Sequence, residues 1–230
     1  FNNIKYYLKQ NNFFKENWNP FNILIQNAST VGALDLGFYS LDENNNFIFF
    51  DQLKEKKINL LFLLGYDNHN FQKQSEFIIY IGSHGDKGAE IADIILPNPA
   101  YTEENGLFTN LEGRVQEARK ASYPIGEAKH TSEIFNLILE KQNKSKNNFQ
   151  LKEIREIIFK SVNNFQGLEV LPKANIINEN ISKKMNITNE KITIKDLDYY
   201  FSNAIARASK TMSDCRNIRT KKEIKDVVNQ

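Results

Sequence analysis

The 230-residue sequence, with a formal net charge of +2 and a mean hydropathy of −0.53, is typical of a globular protein with one large or two small domains. Its interspersed charges argue against a nucleic-acid partner, and its apolar runs are much shorter than the roughly 20 residues of a membrane helix. The one cysteine, Cys215, excludes an internal disulfide and any iron–sulfur site built from several thiolates of this chain.

Residues 1–36 are predicted to be helical, because their apolar side chains recur at intervals of three and four. Gly37 is a natural end for this region. A polar loop is predicted from Asp42 to Asp51. Its spacing resembles a calcium loop, but Phe47 and Leu53 stand where such a loop needs glycine and glutamate, so a plain loop is preferred.

Three short apolar runs, at residues 58–64, 77–81 and 94–96, predict buried strands. Residues 83–93, between the second and third runs, are long enough for a short helical crossover. Buried strands joined by polar crossovers indicate the α/β class, with a doubly wound, mostly parallel sheet flanked by helices.

Helical spacing returns at residues 132–140, 151–163 and 194–213, and a charged tail follows. We therefore predict three parts. Residues 1–140 form a partial α/β domain, residues 141–193 form a linker and crossing segment, and residues 194–230 form a C-terminal helix with a basic tail.

Gly82, Gly85 and Gly88 lie after a predicted strand and before a predicted helix. Their backbone is placed either to approach a phosphate or to make a tight turn, and the turn is preferred. His84 and Asp86 flank the middle glycine. They form either an acid–base pair or turn contacts with nearby backbone groups, and the turn is again preferred.

Arg114 follows a glycine turn with Glu112 nearby. Its guanidinium either forms a buried bidentate pair that locks the loop or binds an anionic ligand, and locking is preferred. His69 and His130 stand alone, without the spacing of metal ligands. Glu103 and Glu104 are predicted to serve a surface or a helix N-terminus.

Several strings in this sequence resemble one known family. Residues 80–97 end in Ala92-Asp93-Ile94-Ile95-Leu96-Pro97, residues 100–103 read Ala-Tyr-Thr-Glu, and residues 110–116 read Asn-Leu-Glu-Gly-Arg-Val-Gln. Together they resemble the molybdopterin oxidoreductase family. The string His84-Gly85-Asp86-Lys87-Gly88-Ala89, with residues 18–38, 61–65 and 192–215, is similar to one branch. That branch is the large iron–sulfur subunit of mitochondrial NADH:ubiquinone oxidoreductase, respiratory complex I.

The resemblance implies a molybdopterin oxidoreductase-like fold and a non-catalytic structural role in the peripheral arm of complex I, on the matrix side of the mitochondrial inner membrane. It implies no cofactor, metal ligand or catalytic residue in this chain. Iron–sulfur clusters are expected in a partner chain with ferredoxin-like domains, beside other peripheral-arm subunits. Gly82, Gly85, Gly88 and Arg114 are then vestigial pterin-site candidates. We hypothesise a subunit divided between two polypeptides.

Two other functions stay open at this point. A fragment of an active molybdopterin-binding oxidoreductase predicts stoichiometric molybdenum or pterin in the purified assembly. A free nucleotide-binding domain predicts tight binding of a dinucleotide by the chain alone. The single cysteine and the lack of a matched metal-ligand region argue against the first, and the glycine spacing departs from the dinucleotide fingerprint that the second requires.

Overall fold

The computed structural model describes the backbone of residues 2–15, 20–25, 27–43, 46–68, 71–142, 150–165, 167–172 and 198–228. Side chains are described for those of these residues that lie between positions 4 and 220. The chain forms two compact units. Unit 1 comprises Phe1–Phe38, Gly106–Ala118 and Gln150–Ile194, and unit 2 comprises Tyr39–Asn105, Arg119–Phe149 and Lys195–Gln230. The three-part division predicted from the sequence stays a prediction.

A three-stranded parallel sheet is the centre of unit 2. Its strands are β1 (Leu60–Leu64), β2 (Phe77–Gly82) and β3 (Ile94–Pro97), and β2 lies in the middle. The register places Leu63 beside Tyr80 and Tyr80 beside Ile95. The three predicted strands and the parallel α/β class are confirmed. The predicted burial holds mainly for β2, since the ends of β1 and both isoleucines of β3 are exposed.

The hydrophobic core of unit 2 lies on one face of this sheet. Leu63, Ile78 and Tyr80 form a buried cluster, and a ring of partly buried residues packs on it: Leu61, Phe71, Ala89, Ile91 and Ala92. The short helix α4 (Lys87–Glu90) belongs to this layer and confirms the predicted helical crossover. On the other face, Phe135 of α5 (Thr131–Lys141) packs on Phe62, with 5.4 Å between ring centroids.

Unit 1 contains an antiparallel hairpin that the sequence analysis did not predict. Its strands are β4 (Gly106–Thr109) and β5 (Val115–Ala118), and Val115 is almost fully buried. Helix α6 (Leu151–Ser161) is joined to β5 by an ion pair of 2.6 Å between Arg155 Nη1 and Glu117 Oε1. This helix begins with a capping box and confirms the prediction for residues 151–163.

The helical prediction for residues 1–36 is only partly correct. Helices α1 (Asn2–Gln10) and α2 (Thr30–Asp35) form, but residues 20–25 have no regular secondary structure. Ile25 instead lines an apolar groove of unit 1 together with Val31 and Phe108. Apolar periodicity cannot distinguish a helix from an irregular segment whose side chains bind a tertiary surface.

The predicted loop from Asp42 to Asp51 is shorter than expected. The Asp42 carboxylate accepts hydrogen bonds from the backbone and side-chain nitrogens of Asn46, at 2.8 and 3.0 Å. Helix α3 (Phe49–Lys54) then begins inside the predicted loop. The hydrogen bonds between Asp42 and Asn46 therefore close a compact turn shortly before α3 begins.

The predicted helix at residues 194–213 is divided. Residues 194–197 lie outside the described part, and the rest forms a 3₁₀ turn (Tyr199–Phe201), α7 (Ala204–Ala208) and the start of α8 (Lys210–Val228). Asn203 interrupts the helical run because its side chain accepts a hydrogen bond from the backbone nitrogen of Ala206, at 2.8 Å.

Most of the predicted linker and crossing segment, namely residues 143–149 and 173–193, also lies outside the described residues. Among the residues that the structure describes, no helix has both the length and the apolar character needed to cross a membrane.

Candidate functional site

The glycine loop that follows β2 is packed against the side chain of Tyr80. A Cβ atom at Gly82 would overlap the Tyr80 ring, and one at Gly88 would lie 2.9 Å from that ring and 2.7 Å from the carbonyl oxygen of Tyr66. A Cβ at Gly85 would meet no atom within 4 Å. Two of the three glycines are therefore needed for close packing of the chain on itself.

Tyr80 is 2% exposed, and its hydroxyl donates a hydrogen bond to the carbonyl oxygen of His84 at 2.9 Å. Burial, with smaller contributions from the negative charges of Asp67 and Asp86, raises the pKa of Tyr80 to about 12. The hydroxyl is thus a permanent donor at neutral pH, and it holds the glycine loop down on the sheet.

Asp86 closes the loop at its other end. Its carboxylate accepts a hydrogen bond from the backbone nitrogen of Lys87 at 2.8 Å, which caps α4. His84 does not pair with it, because its ring Nδ1 lies 3.0 Å from the hydroxyl oxygen of Ser83. The geometry agrees with the preferred turn interpretation for Asp86, whereas the His84 ring contacts a side-chain hydroxyl. The two residues do not form an acid–base pair with each other.

Arg207 of α7 is the residue that joins these parts, and with Asp67 and Asp86 it forms what we call the Arg207 cluster. Its Nε donates to Asp86 Oδ2, its Nη1 donates to the carbonyl oxygen of Phe201 at 3.2 Å, and its Nη2 lies 2.7 Å from Asp67 Oδ2. The last contact is a close ion pair whose angles fall outside hydrogen-bond geometry. The side chains of Arg207, Asp67 and Asp86 are 19%, 11% and 23% exposed.

The electrostatics of the Arg207 cluster favour the charged forms of Asp86 and Arg207. Burial alone would raise the pKa of Asp86, but the hydrogen bond and charge of Arg207 and the Lys87 backbone bond outweigh it and lower that pKa. Burial opposes the charge of Arg207, whereas Asp86 and Asp67 together raise its pKa above the ordinary value. The cluster is therefore an ion network that depends on all three side chains.

Sequence reasoning missed Arg207. It stands 121 positions from Asp86, so no local pattern connects the two residues. The only available signal was the string Ala206-Arg207-Ala208, which lies in a segment that carries the family resemblance.

Another residue of the resemblance strings, Asp93, also has a structural position. Its carboxylate accepts a hydrogen bond from the backbone nitrogen of Ile78 at 2.8 Å and pairs with Lys73 at 2.6 Å. The backbone bond first, and then Lys73, lower the pKa of Asp93. Asp93 thus holds the start of β3 beside β2 as a charged group.

These residues do not fit a bound pterin or phosphate at the glycine loop. Such a ligand needs open space and backbone amides directed into it. Here Tyr80 fills the space beside Gly82 and Gly88, the carboxylate of Asp86 accepts the first amide of α4, and α4 has only four residues. No catalytic step through a pterin follows from this arrangement.

Arg114, the fourth residue predicted for a pterin site, belongs to unit 1, whereas the glycine loop belongs to unit 2. The predicted buried bidentate pair with Glu112 is wrong, because Arg114 Nη2 lies 3.7 Å from Glu112 Oε2 and Glu112 is 61% exposed. The Asn110 side chain locks the loop instead, accepting from the backbone nitrogens of Glu112 and Arg114 at 2.9 and 3.0 Å. Gly113 completes the turn with a φ of +83°.

The sequence suggested that His130 stands alone, but the structure gives it a partner. Its Nδ1 lies 3.1 Å from Glu104 Oε2, in a pair whose side chains are 39% and 32% exposed. Burial raises the pKa of Glu104, and the interaction with His130 opposes part of that effect. Glu103 accepts a hydrogen bond from the backbone nitrogen of Ala100 at 3.0 Å. His69 lies outside the described residues.

Metal binding receives no support from this geometry. Across the parts of the chain that are described, no group of three or more His, Cys, Asp or Glu side chains is placed to hold a metal ion. The plain-loop interpretation of Asp42 is consistent with its bonds to Asn46.

Comparison with known families and proteins finds two adjoining matches. A family model described as molybdopterin oxidoreductase matches residues 1–141. A second model, described as the C-terminal part of the G-type subunit of NADH-ubiquinone oxidoreductase, matches residues 169–215. The ion network between Asp86 and Arg207 therefore joins one residue from each matched region.

Individual relatives carry related names. The G-type subunit of NADH-quinone oxidoreductase from Rickettsia typhi is 40% identical over 205 residues, which is 89% of this chain and 28% of that protein. The NADH-ubiquinone oxidoreductase 75 kDa subunit of Reclinomonas americana is 35% identical over 220 residues, which is 94% of this chain and 31% of that protein. The mitochondrial NADH-ubiquinone oxidoreductase 78 kDa subunit of Candida albicans is 34% identical over 222 residues, which is 90% of this chain and 29% of that protein. The chain thus spans less than a third of the length of these curated relatives.

Proposed function

This chain belongs to the molybdopterin oxidoreductase family, and on that premise we propose that it is a non-catalytic structural part of respiratory complex I. Its role is to brace the iron–sulfur domain of the peripheral arm, so that electron carriers keep their spacing during transfer from NADH to ubiquinone. The names of the relatives support this assignment, since they are subunits of NADH-quinone or NADH-ubiquinone oxidoreductase.

The observation that carries the non-catalytic part of the proposal is the closed glycine loop. Gly82 and Gly88 make room for Tyr80, and Asp86 is paired with Arg207. Gly82 and Gly88 are accordingly relics of a pterin site, retained because Tyr80 now packs in the place of a ligand. Gly85 and Arg114 are proposed as relics on the family resemblance alone.

The iron–sulfur clusters belong, in this proposal, to a partner chain with ferredoxin-like domains. The single cysteine of this sequence, Cys215, is exposed, and one thiolate does not hold a cluster that requires four protein ligands. The other neighbours are peripheral-arm subunits, on the matrix side of the mitochondrial inner membrane. The mitochondrial relative from Candida albicans supports that location.

Bracing requires that the scaffold itself be stiff. A buried network of paired charges provides stiffness because each member loses a partner if one element moves. In unit 2, the Arg207 cluster ties α7 to the ends of β1 and β2, and the 3₁₀ turn is held through the carbonyl oxygen of Phe201. The C-terminal segment is therefore part of the sheet's support and not a loose appendage.

The proposal is tested by purifying the tagged chain from its source. Native gel fractionation is expected to place the chain in the fraction with NADH dehydrogenase activity, together with a second polypeptide that carries the cluster cysteines. Metal and pterin analysis of that fraction is expected to find iron but no stoichiometric molybdenum or pterin. Migration of the chain by itself would refute the complex I role, and one molybdenum per chain would refute the non-catalytic role.

A further inference from the structure

The segment that follows β5 in the chain presents a serine between basic and aromatic side chains. Residues 119–123 read Arg-Lys-Ala-Ser-Tyr, and all of them are exposed. They belong to unit 2 and have no regular secondary structure. We call these residues the basic serine segment. Ser122 therefore lies at the surface, with Arg119 three positions and Lys120 two positions before it.

The spacing of Arg119 and Ser122 occurs once in the sequence. No other arginine is followed by a serine or threonine three positions later. A lysine stands three positions before Ser132 and before Ser213, but both of these serines are partly buried and lie within helices, α5 and α8 respectively. Among these three serines, Ser122 is thus the one that a second protein reaches in an exposed, non-helical stretch of chain.

Backbone hydrogen bonds hold the inner side of the basic serine segment. The carbonyl oxygen of Thr102 accepts from the backbone nitrogens of Ala121 and Ser122, at 2.7 and 3.1 Å. The side-chain oxygen of Asn105 accepts from the backbone nitrogen of Lys120 at 3.0 Å. Since these nitrogens bind inward, the side chains are directed to solvent. An exposed loop of this kind opens locally at a small fraction of the global free energy of unfolding, so an enzyme can draw it into an extended form.

The side chains on either side of Ser122 lie close together. The Lys120 Nζ is 4.6 Å from the centroid of the Tyr123 ring, a cation–π distance. Tyr123 itself is 77% exposed. Protein kinases that select basic substrates offer acidic side chains to the residues before the serine and an apolar pocket to the residue after it, and this charge pattern sets their specificity. Arg119, Lys120 and Tyr123 provide the matching features.

We propose that Ser122 is a phosphorylation site for an ATP-dependent serine kinase that selects basic substrates. In this step the Ser122 Oγ forms a bond to the γ-phosphorus of ATP. The bond between that phosphorus and the oxygen that bridges to the β-phosphate breaks, and ADP leaves. The hydroxyl proton passes to the catalytic aspartate of the kinase. The inference goes beyond the proposed function and does not depend on it.

Phosphorylation changes the charge of the basic serine segment. A phosphoserine adds about 1.5 to 2 negative charges at neutral pH, which offsets the positive charges of Arg119 and Lys120. The phosphate also competes with the Tyr123 ring for the Lys120 ammonium, because a charge-assisted hydrogen bond to phosphate is stronger than a cation–π contact at an exposed site. The modification therefore converts a basic surface segment into a nearly neutral one.

The site is tested first on the tagged chain, purified from its source under native conditions with phosphatase inhibitors present. Peptide mass spectrometry is expected to find a phosphate on Ser122, and treatment with a phosphatase is expected to remove it. Absence of this phosphopeptide, or assignment of the phosphate to another residue, would overturn the inference.

A kinase assay on the same material after dephosphorylation tests the recognition. The probe is the catalytic subunit of cAMP-dependent protein kinase with radiolabelled ATP. Ser122→Ala is expected to abolish labelling, whereas the matched controls Ser132→Ala and Ser213→Ala should keep the wild-type level. Arg119→Ala is expected to lower kcat/KM at least about tenfold, because it removes one partner of an interfacial ion pair.

The Ser122→Ala variant is expected to fold like wild type, because alanine keeps the backbone nitrogen that binds Thr102. Its urea midpoint checks this point. Arg119→Lys should lose less kcat/KM than Arg119→Ala, since it retains the charge without the planar guanidinium. Label retained by Ser122→Ala, or an unchanged kcat/KM for Arg119→Ala, would refute the proposed recognition.

Discussion

Replacing Arg207 with alanine is expected to lower the free energy of unfolding by about 3 kcal/mol. Removing one partner of a buried ion pair costs roughly 3–5 kcal/mol, because the remaining charge is left in a poorly hydrated place. Here two carboxylates, Asp67 and Asp86, would lose their shared cation. The lower end of the range applies because Arg207 and Asp86 retain 19% and 23% exposure, which lets water reach the uncompensated charges.

Two companion variants refine this prediction. Arg207→Lys keeps the positive charge but cannot reach three acceptors at once, so we expect roughly half the loss. Combining Arg207→Ala with Asp86→Asn should cost less than the sum of the single changes, because each removes the same interaction. Arg114→Ala is the control. Its ion pair of 3.7 Å with the exposed Glu112 predicts a change below about 1 kcal/mol.

Urea unfolding followed by circular dichroism measures these differences as shifts of the midpoint at constant slope. Amide hydrogen exchange in β2 and α4 should show faster opening in Arg207→Ala, since both elements adjoin the cluster. Equal midpoints for Arg207→Ala and Arg114→Ala would refute the reasoning. Additive costs for Arg207→Ala and Asp86→Asn would show that the two side chains act independently.

Three further changes test the remaining features. Gly88→Ala is expected to cost about 1–3 kcal/mol through overlap with its neighbours, whereas Gly85→Ala, which meets no atom within 4 Å, should change the free energy of unfolding by less than about 0.5 kcal/mol. Similar losses for both would contradict the packing role. Because the pKa of Asp86 is lowered, the stabilisation that its carboxylate provides is fully present above pH 3.8, the ordinary pKa. This stabilisation is lost as the pH falls through the lowered pKa. Asp86→Asn should therefore be destabilised at neutral pH and converge with wild type in acid. Glu104→Gln should behave in the opposite way, because the raised pKa of Glu104 favours its protonated form. Glu104→Gln should match wild type in stability below pH 4.5, the ordinary pKa of the carboxyl. It should become more stable than wild type as the pH rises through the raised pKa of Glu104. Urea midpoints measured from about pH 3 to pH 7 test both pH dependences. A constant difference across this range would contradict the assigned pKa shifts.

Elements encoded by contiguous residues were predictable from the sequence. The strands β1, β2 and β3 are continuous apolar runs that can be recognised without knowledge of distant residues, although only β2 is largely buried. Helices α5 and α6 show the 3.6-residue period of helices. The hairpin of β4 and β5 was not predicted, because its strands have four residues each and only Val115 is fully buried. β3 is equally short but is a continuous apolar run, whereas β4 and β5 mix apolar with polar or small residues and show no such run.

In the candidate site, too, features encoded by neighbouring residues were predictable and contacts between distant residues were not. The position of the glycine loop between a strand and a helix was predictable, as was the bond of the Asp86 side chain to nearby backbone. The partners of the loop were not, since Arg207 reaches it from 121 positions away. Likewise, the pairing of Glu104 with His130 joins residues 26 positions apart. Neither separation corresponds to a turn of helix or a strand alternation.

By itself, the sequence determined the α/β class, the three parallel strands and the family, because these depend on local composition and on strings read in order. Only the tertiary structure decided that the glycine loop is closed. Closure depends on Tyr80 filling the space beside Gly82 and Gly88, and on Arg207 neutralising Asp67 and Asp86 from a distant segment. The physical reason is that packing and charge pairing are set by distances in space, which the order of residues along the chain does not reveal.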